Sequence, residues 1–151
     1  MAILAGALVI AALATAVYAT EFAVIVHPSN PAKSLSIVDL GKILRGKTTS
    51  WPNGRLITVV MRDPNQPVMK FVVEKILGMN LEDGKSLLVA ESRKSASPLV
   101  FVQTDEDVVK AVENNPTALG IADVYNITSA VKVVRIDDKQ PFDPGYALKG
   151  H

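Results

Sequence analysis

The sequence predicts an α/β domain, a layered sheet with helices on both faces. Runs of strand length without polar interruption, such as Phe22-Ala-Val-Ile-Val-His27, read as strands buried on both sides. Between them lie stretches with apolar residues at helical spacing, opened by capping residues and closed by glycine or proline turns. The two patterns alternate along one chain of 151 residues with short connections, as a helix-covered sheet requires.

The elements follow in order. Residues 2–19 are almost wholly apolar, rich in Ala and Leu, and uncharged. Val17-Tyr18-Ala19 carries modest side chains at the cleavage-determining positions, so the stretch reads as a signal peptide (residues 1–19) cut before Thr20. It lacks a basic start, and about eighteen apolar residues also just span a bilayer, so an uncleaved anchor is the alternative. The folded domain is expected over residues 20–151 and outside the cytoplasm. The first strand, Phe22–His27, stops at Pro28-Ser-Asn-Pro31. Ser36 then caps a helix with Asp39 as a capping-box-like partner, and Ile37, Leu40, Ile43 and Leu44 form its buried stripe up to Gly46. A polar loop with Trp51 and the turn Pro52-Asn-Gly54 leads to a strand over Leu56–Met61. Arg62 and the polar turn Asp63-Pro-Asn-Gln-Pro67 follow, with Pro67 placed as the first residue of a helix that stops at Gly78. Asn80 caps the next helix, which Gly84 weakens. Glu91–Pro98 reads as polar and turn-rich, and Leu99–Val102 as a short strand. Thr104 and Asp107 open a helix ended by Asn114-Asn-Pro116, then Leu119–Val124 and Val131–Ile136 read as strands. The polar tail from Asp137 reads as irregular.

Composition narrows the chemistry. Sixteen basic residues balance fifteen acidic ones for a net charge of +1, which gives no support for nucleic-acid binding. There is no cysteine, so disulfides, thiolate nucleophiles and cysteine metal sites are excluded. With only His27 and His151, a metal site is not expected. Asp105, Glu106 and Asp107 read as first-turn acids that stabilise the helix dipole, and Glu82 and Asp83 likewise. Ser92, Ser95 and Ser97 lie beside Arg93 and Lys94 without a nucleophile-elbow pattern, so no catalytic residue and no cofactor is assigned. Trp51 reads as a packed loop anchor and His27 as a structural or rim residue.

Arg62 is the candidate of interest. Ligands of open α/β sheets bind beyond the carboxyl ends of strands, where helix N-termini offer free N–H groups. Arg62 adds a planar fork of donors suited to phosphate or carboxylate, and Asn65 and Gln66 could add amide N–H groups. The alternative is a surface arginine paired with Asp63 or with the first turn of the following helix.

At these residues the chain resembles the phosphate-binding proteins of ABC transporters. The matching segments are His27-Pro-Ser-Asn-Pro, Leu35-Ser-Ile-Val-Asp-Leu, Ile43-Leu-Arg-Gly-Lys47 and Trp51-Pro-Asn-Gly. The strand ending in Arg62 is similar to the family strand that ends in a phosphate-binding arginine, and Asn115-Pro-Thr-Ala-Leu-Gly-Ile121 to its PGAIGY segment. The likeness covers roughly residues 22–136. It implies one lobe of a type II periplasmic-binding-protein-like fold, mainly the second of two lobes, with the first lobe's glycine- and serine-rich anion loop absent. It places Arg62, Asn65, Gln66 and Val68 at the ligand. The family's Ser-Gly-Thr turn is replaced by residues near Asn65, Gln66, Pro67 and Val68, so its hydroxyls are gone and Pro67 removes a backbone donor. The resemblance implies an exported, non-enzymatic binder of phosphate or a similar oxyanion, with an ABC permease as partner. The alternative is an envelope protein-interaction module that has lost phosphate binding. A homodimer would supply a second wall to the site.

Overall fold

β1 (Phe22–Val26) is the centre of the molecule, and all five of its residues are buried. The computed structural model describes residues 20–94 and 99–150. The leader, its cleavage site, Ser95, Ser97 and His151 lie outside the described residues. Around β1 are ordered β2 (Ser34–Leu35), β3 (Thr58–Arg62), β4 (Leu99–Val102), β5 (Ala118–Asp123) and β6 (Lys132–Ile136). The sheet order is β2-β6-β1-β5-β3-β4. β1 runs antiparallel to both of its neighbours, β5 and β6, whereas β3 lies parallel to β4 and β5, and β2 to β6.

Helices cover both faces. Residues of a strand alternate between faces, and the core divides accordingly. Phe22, Val24 and Val26 join Val59, Met61, Leu119 and Ile121 beneath α1 (Ile37–Leu44), α2 (Lys70–Leu77) and α3 (Leu81–Ser92). Ala23, Ile25 and Val60 face the other way, toward Val108, Val109 and Val112 of α4 (Asp105–Glu113). The caps expected from the sequence form. Ser36, Asn80 and Thr104 accept hydrogen bonds from the amides of Asp39, Asp83 and Asp107 at 2.9, 2.9 and 3.1 Å.

Several details differ from the sequence expectation. Pro67 opens a short 3-10 turn (Pro67–Met69) before α2 proper. α3 continues through Ser92, because the helical ladder outweighs the polar character of Glu91 and Ser92. Gly84 lets α3 approach α2: a Cβ there would lie 2.4 Å from Val73 Cγ1. The two-residue β2 carries too little apolar pattern to be seen as a strand. The tail is irregular, as expected, and it is tied down. Tyr146 and Leu148 enter the main core, and the Phe22 amide donates to the Leu148 carbonyl at 2.9 Å. Trp51 is buried, and its indole N–H donates to the Thr117 carbonyl at 2.9 Å, which makes it a loop anchor. Among the described residues no helix is long and apolar enough to cross a membrane.

Two tests follow from this packing. Gly120 lies under α4, and a Cβ there would sit 2.7 Å from Val112 Cγ2 and 2.8 Å from Val108 Cγ1. Gly120→Ala is expected to push α4 off the sheet and cost about 1–3 kcal/mol by denaturant unfolding. Tyr146 donates its hydroxyl to the Phe22 carbonyl at 2.7 Å. Its phenol pKa is raised well above 10.0, first by burial and then by the Glu21 carboxylate. The fold therefore holds the proton that the unfolded chain releases, so this contribution is intact below pH 10.0 and declines as pH rises above it. Tyr146→Phe should lose about 1 kcal/mol at neutral pH and show a shallower alkaline decline than the parent protein, measured by unfolding across pH.

Candidate functional site

Three strand ends converge where Arg62 leaves β3. Arg62 pairs in register with Val102 of β4, and Met61 with Ile121 of β5. Two segments therefore reach the same edge: Gln103 to Asp105 beyond β4, and Val124 to Asn126 beyond β5. The Asp63 amide donates to the Val102 carbonyl at 2.9 Å and fixes the turn after Arg62 against β4.

Arg62 is held on two sides. Its Nε donates to Gln66 Oε1 at 2.7 Å, and its Nη1 donates to Asp105 Oδ2 at 3.0 Å. The side chains of Arg62 and Asp105 are 21% and 10% exposed, so the pair is largely shielded from water. Asp105 also ties the other elements together. Its Oδ1 accepts from the Asp123 amide at 3.1 Å, and Asn126 Nδ2 approaches Oδ2 at 3.4 Å. Gln66 turns its carbonyl to Arg62 and donates its amide to the Gln103 carbonyl at 2.9 Å.

The expected site residues are thus partly assembled. Arg62 and Gln66 meet. Asn65 uses its backbone amide on Asp63 Oδ1 at 2.8 Å and lines a separate cavity of about 360 Å³ with Lys85 and Arg93 on α3. Val68 is half-buried and packs on the main core. Asp63 accepts from Asn65 rather than from Arg62; the ion-pair partner of Arg62 is Asp105. Asp105 does stand in the first turn of α4, as read from the sequence, and beyond that role it is the partner of Arg62. Its neighbours Glu106 and Asp107 are exposed, but Asp105 points inward. No local sequence signal marks it: the parallel pairing of β3 with β4, seen only in the fold, sets the start of α4 beside Arg62. His27 follows the far end of β1, away from Arg62, and its Nδ1 accepts the Ser29 amide at 3.1 Å. Ser92 donates its hydroxyl to the Val89 carbonyl within α3. Among the described residues no three His, Asp or Glu side chains gather as a metal site.

The arrangement can present an oriented cation at the carboxyl edge of the sheet. A guanidinium carries five N–H donors. One on Nε serves Gln66 and one on Nη1 serves Asp105, and among the described residues the others are not engaged.

Comparison with known proteins gives the same architecture. A family model described as PBP superfamily domain matches residues 4–146. No curated protein sequence matches. Among solved structures, the chain is similar to an ABC-type phosphate transport receptor from Vibrio cholerae, with a TM-score of 0.69 and 19% identity over 87% of this chain and 54% of that one. It is similar to a putative phosphate ABC transporter substrate-binding protein with bound phosphate from Clostridium perfringens, with a TM-score of 0.64 and 23% identity over 80% of this chain and 46% of that one. PstS from Borrelia burgdorferi gives a TM-score of 0.69 at 14% identity over 87% of this chain and 55% of that one. The chain therefore spans about half the length of the solved structures it matches.

The shielded ion pair makes a stability prediction. Asp105→Ala would leave Arg62 without its carboxylate and the Asp123 amide without its acceptor. The expected loss is about 2 kcal/mol, below that of a fully buried pair because Arg62 retains some exposure. Asp105→Asn should lose less, since an amide oxygen still accepts from the Asp123 amide. Equal stability of all three proteins in urea would show that the pair does not hold the strand ends together.

Proposed function

The chain belongs to the PBP superfamily domain family, and on that premise we propose that it is an exported solute-binding lobe that takes an oxyanion, phosphate first, without catalysis. The observation that carries this reading is the state of Arg62. It stands at the carboxyl end of a strand, where this class of sheet binds ligands, and it is oriented by Asp105 and Gln66 while retaining uncommitted donors. A guanidinium fixed in advance loses little entropy on binding and presents a fork that matches phosphate. The similarity to phosphate receptors points to the same ligand.

The same geometry sets the affinity low. Asp105 offsets part of the positive charge, and a ligand on one lobe stays in contact with water, where charge attraction is screened. The apolar leader supports delivery across the membrane, with the domain either free or anchored on the far side. An ABC permease is the partner that the similar receptors suggest.

A second reading, an envelope interaction module, is favoured by one observation. Tyr125 and Phe142 are 71% and 60% exposed, and their rings pair at 6.1 Å. Tyr125 lies just beyond β5, beside Asn126 and so on the Arg62 side of the fold. Exposed aromatic surface at such an edge suits a protein partner.

Calorimetric titration with phosphate at low salt, on protein expressed from the full sequence, separates the readings. Saturable binding with a dissociation constant of about 1 mM or tighter, about −4 kcal/mol, is expected. It should weaken as salt rises and vanish in Arg62→Ala, with circular dichroism confirming the fold of the variant. Absence of saturable heat up to about ten times that concentration would reject oxyanion binding and leave the interaction module.

A further inference from the structure

We propose that the cationic pocket between α1, from Ile37 to the residues past its last turn, and the C-terminal end of α2 is a second ligand site, for a soluble organic anion with a phosphate or carboxylate group on a short apolar body. The pocket has a volume of about 380 Å³, within the size range of small-molecule sites. Lys42, Arg45, Lys47 and Lys75 line it, with Val38 and Ile76 supplying apolar wall. No acidic residue lines it.

Helix-end stabilisation accounts for only part of this charge. Lys42 and Lys75 lie in the last turns of α1 and α2, and each helix end presents about half a negative charge. Arg45 donates to the Leu77 carbonyl, one of the carbonyls at the end of α2. Two helix ends together offset about one of the four cations. Carboxylates do not supply the remainder. The ion pairs among the described residues are Arg62–Asp105, Lys85–Glu82 and Lys94–Glu91, so none includes a pocket cation. Asp39, one turn before Lys42, forms no ion pair with it. Glu91 reaches Gly46 from α3 with Oε2, while Lys94 holds its Oε1 at 2.5 Å, and among the described residues it forms no ion pair with Arg45 or Lys47. An anion entering the pocket would relieve the mutual repulsion of cations within a Debye length of one another.

The apolar wall selects the rest of the ligand. Val38 is 62% exposed at the pocket and Ile76 is buried in its wall, so a few methylene groups gain cover beside the charge. One exposed valine is too little to insert into a bilayer. The larger exposed apolar side chains, Leu56, Tyr125 and Phe142, do not line this pocket. The pocket also stands apart from Arg62: Arg62 precedes the start of α2, and the pocket lies at that helix's end. The inference therefore does not depend on oxyanion binding at Arg62.

The test uses n-hexyl phosphate and inorganic phosphate on the protein expressed from its full sequence, followed by amide-resolved NMR. Hexyl phosphate should bind about tenfold more tightly than inorganic phosphate. It should shift the amide signals of Gly41–Lys47 and Lys75–Gly78. The double variant Lys42→Ser, Lys75→Ser should weaken it about tenfold. Lys47→Ser, which lies beyond the helix and leaves its ladder intact, should weaken it in the same direction. Read at the Gly41–Lys47 and Lys75–Gly78 signals, hexyl phosphate binding no tighter than inorganic phosphate would overturn the proposal, as would shifts confined to Arg62–Gln66 or lysine variants that bind like the parent. Capture by anionic phospholipid vesicles without binding of free hexyl phosphate would overturn it in favour of a membrane surface.

Discussion

The structure depends on β1 being apolar on both faces. A central strand with one solvated face could support helices on one side only. Here Phe22, Val24 and Val26 seat the three-helix layer, while Ala23 and Ile25 seat α4. On the α4 face, Gly120 beside Ile25 brings the helix down onto the sheet. β1 also runs against both neighbours, so it separates β6 and β2 from the parallel group β5-β3-β4. That parallel group supplies the edge from which Arg62 projects.

The edge is organised by charge more than by hydrophobic packing. Asp105 begins α4, accepts from the amide of Asp123 at the end of β5 and pairs with Arg62 at the end of β3. A shielded pair of this kind gains stability only when the remaining lone pairs and protons find partners. Asp105 meets that condition through backbone and side chain together, and Gln66 meets it for Arg62 Nε. The result is an arginine whose direction is fixed before any ligand arrives. The same carboxylate reduces the charge an anion would meet, so orientation is gained and raw attraction is lost.

The sequence legibly encodes what is local. The capping residues Ser36, Asn80 and Thr104 act on amides three residues away, so neighbouring residues alone determine them. The buried strands declare themselves by composition, and the helices on both faces follow from alternation. Pairing across the sheet is not local. Nothing near Asp105 in the sequence indicates that β4 runs beside β3, so an inward-facing aspartate looks like its exposed neighbours Glu106 and Asp107. The tail was obscured for the same reason: Tyr146 and Leu148 are buried by Phe22 and the strand's surroundings, far away in sequence. Of the candidate site, Arg62 is legible as a cation at a strand end, whereas Gln66 reads from the turn as a ligand donor and instead gives its amide to the Gln103 carbonyl and its own carbonyl to Arg62. Asn65 could not be placed, because the turn geometry that sends it toward α3 depends on Asp63 accepting its amide.

The closing of that tail has a topological consequence. The Gly150 amide donates to the Thr20 carbonyl at 2.7 Å, and Glu21 pairs with Lys149 as an antiparallel bridge. The two ends of the described fold therefore lie side by side on one edge. A unit whose ends touch can be spliced into another polypeptide at a single loop without stretching either connection. It can equally be joined end to end by a short linker and reopened at an exposed turn such as Pro52–Gly54, with every strand pairing preserved. In that sense the described fold closes on itself, with both of its ends leaving from one place.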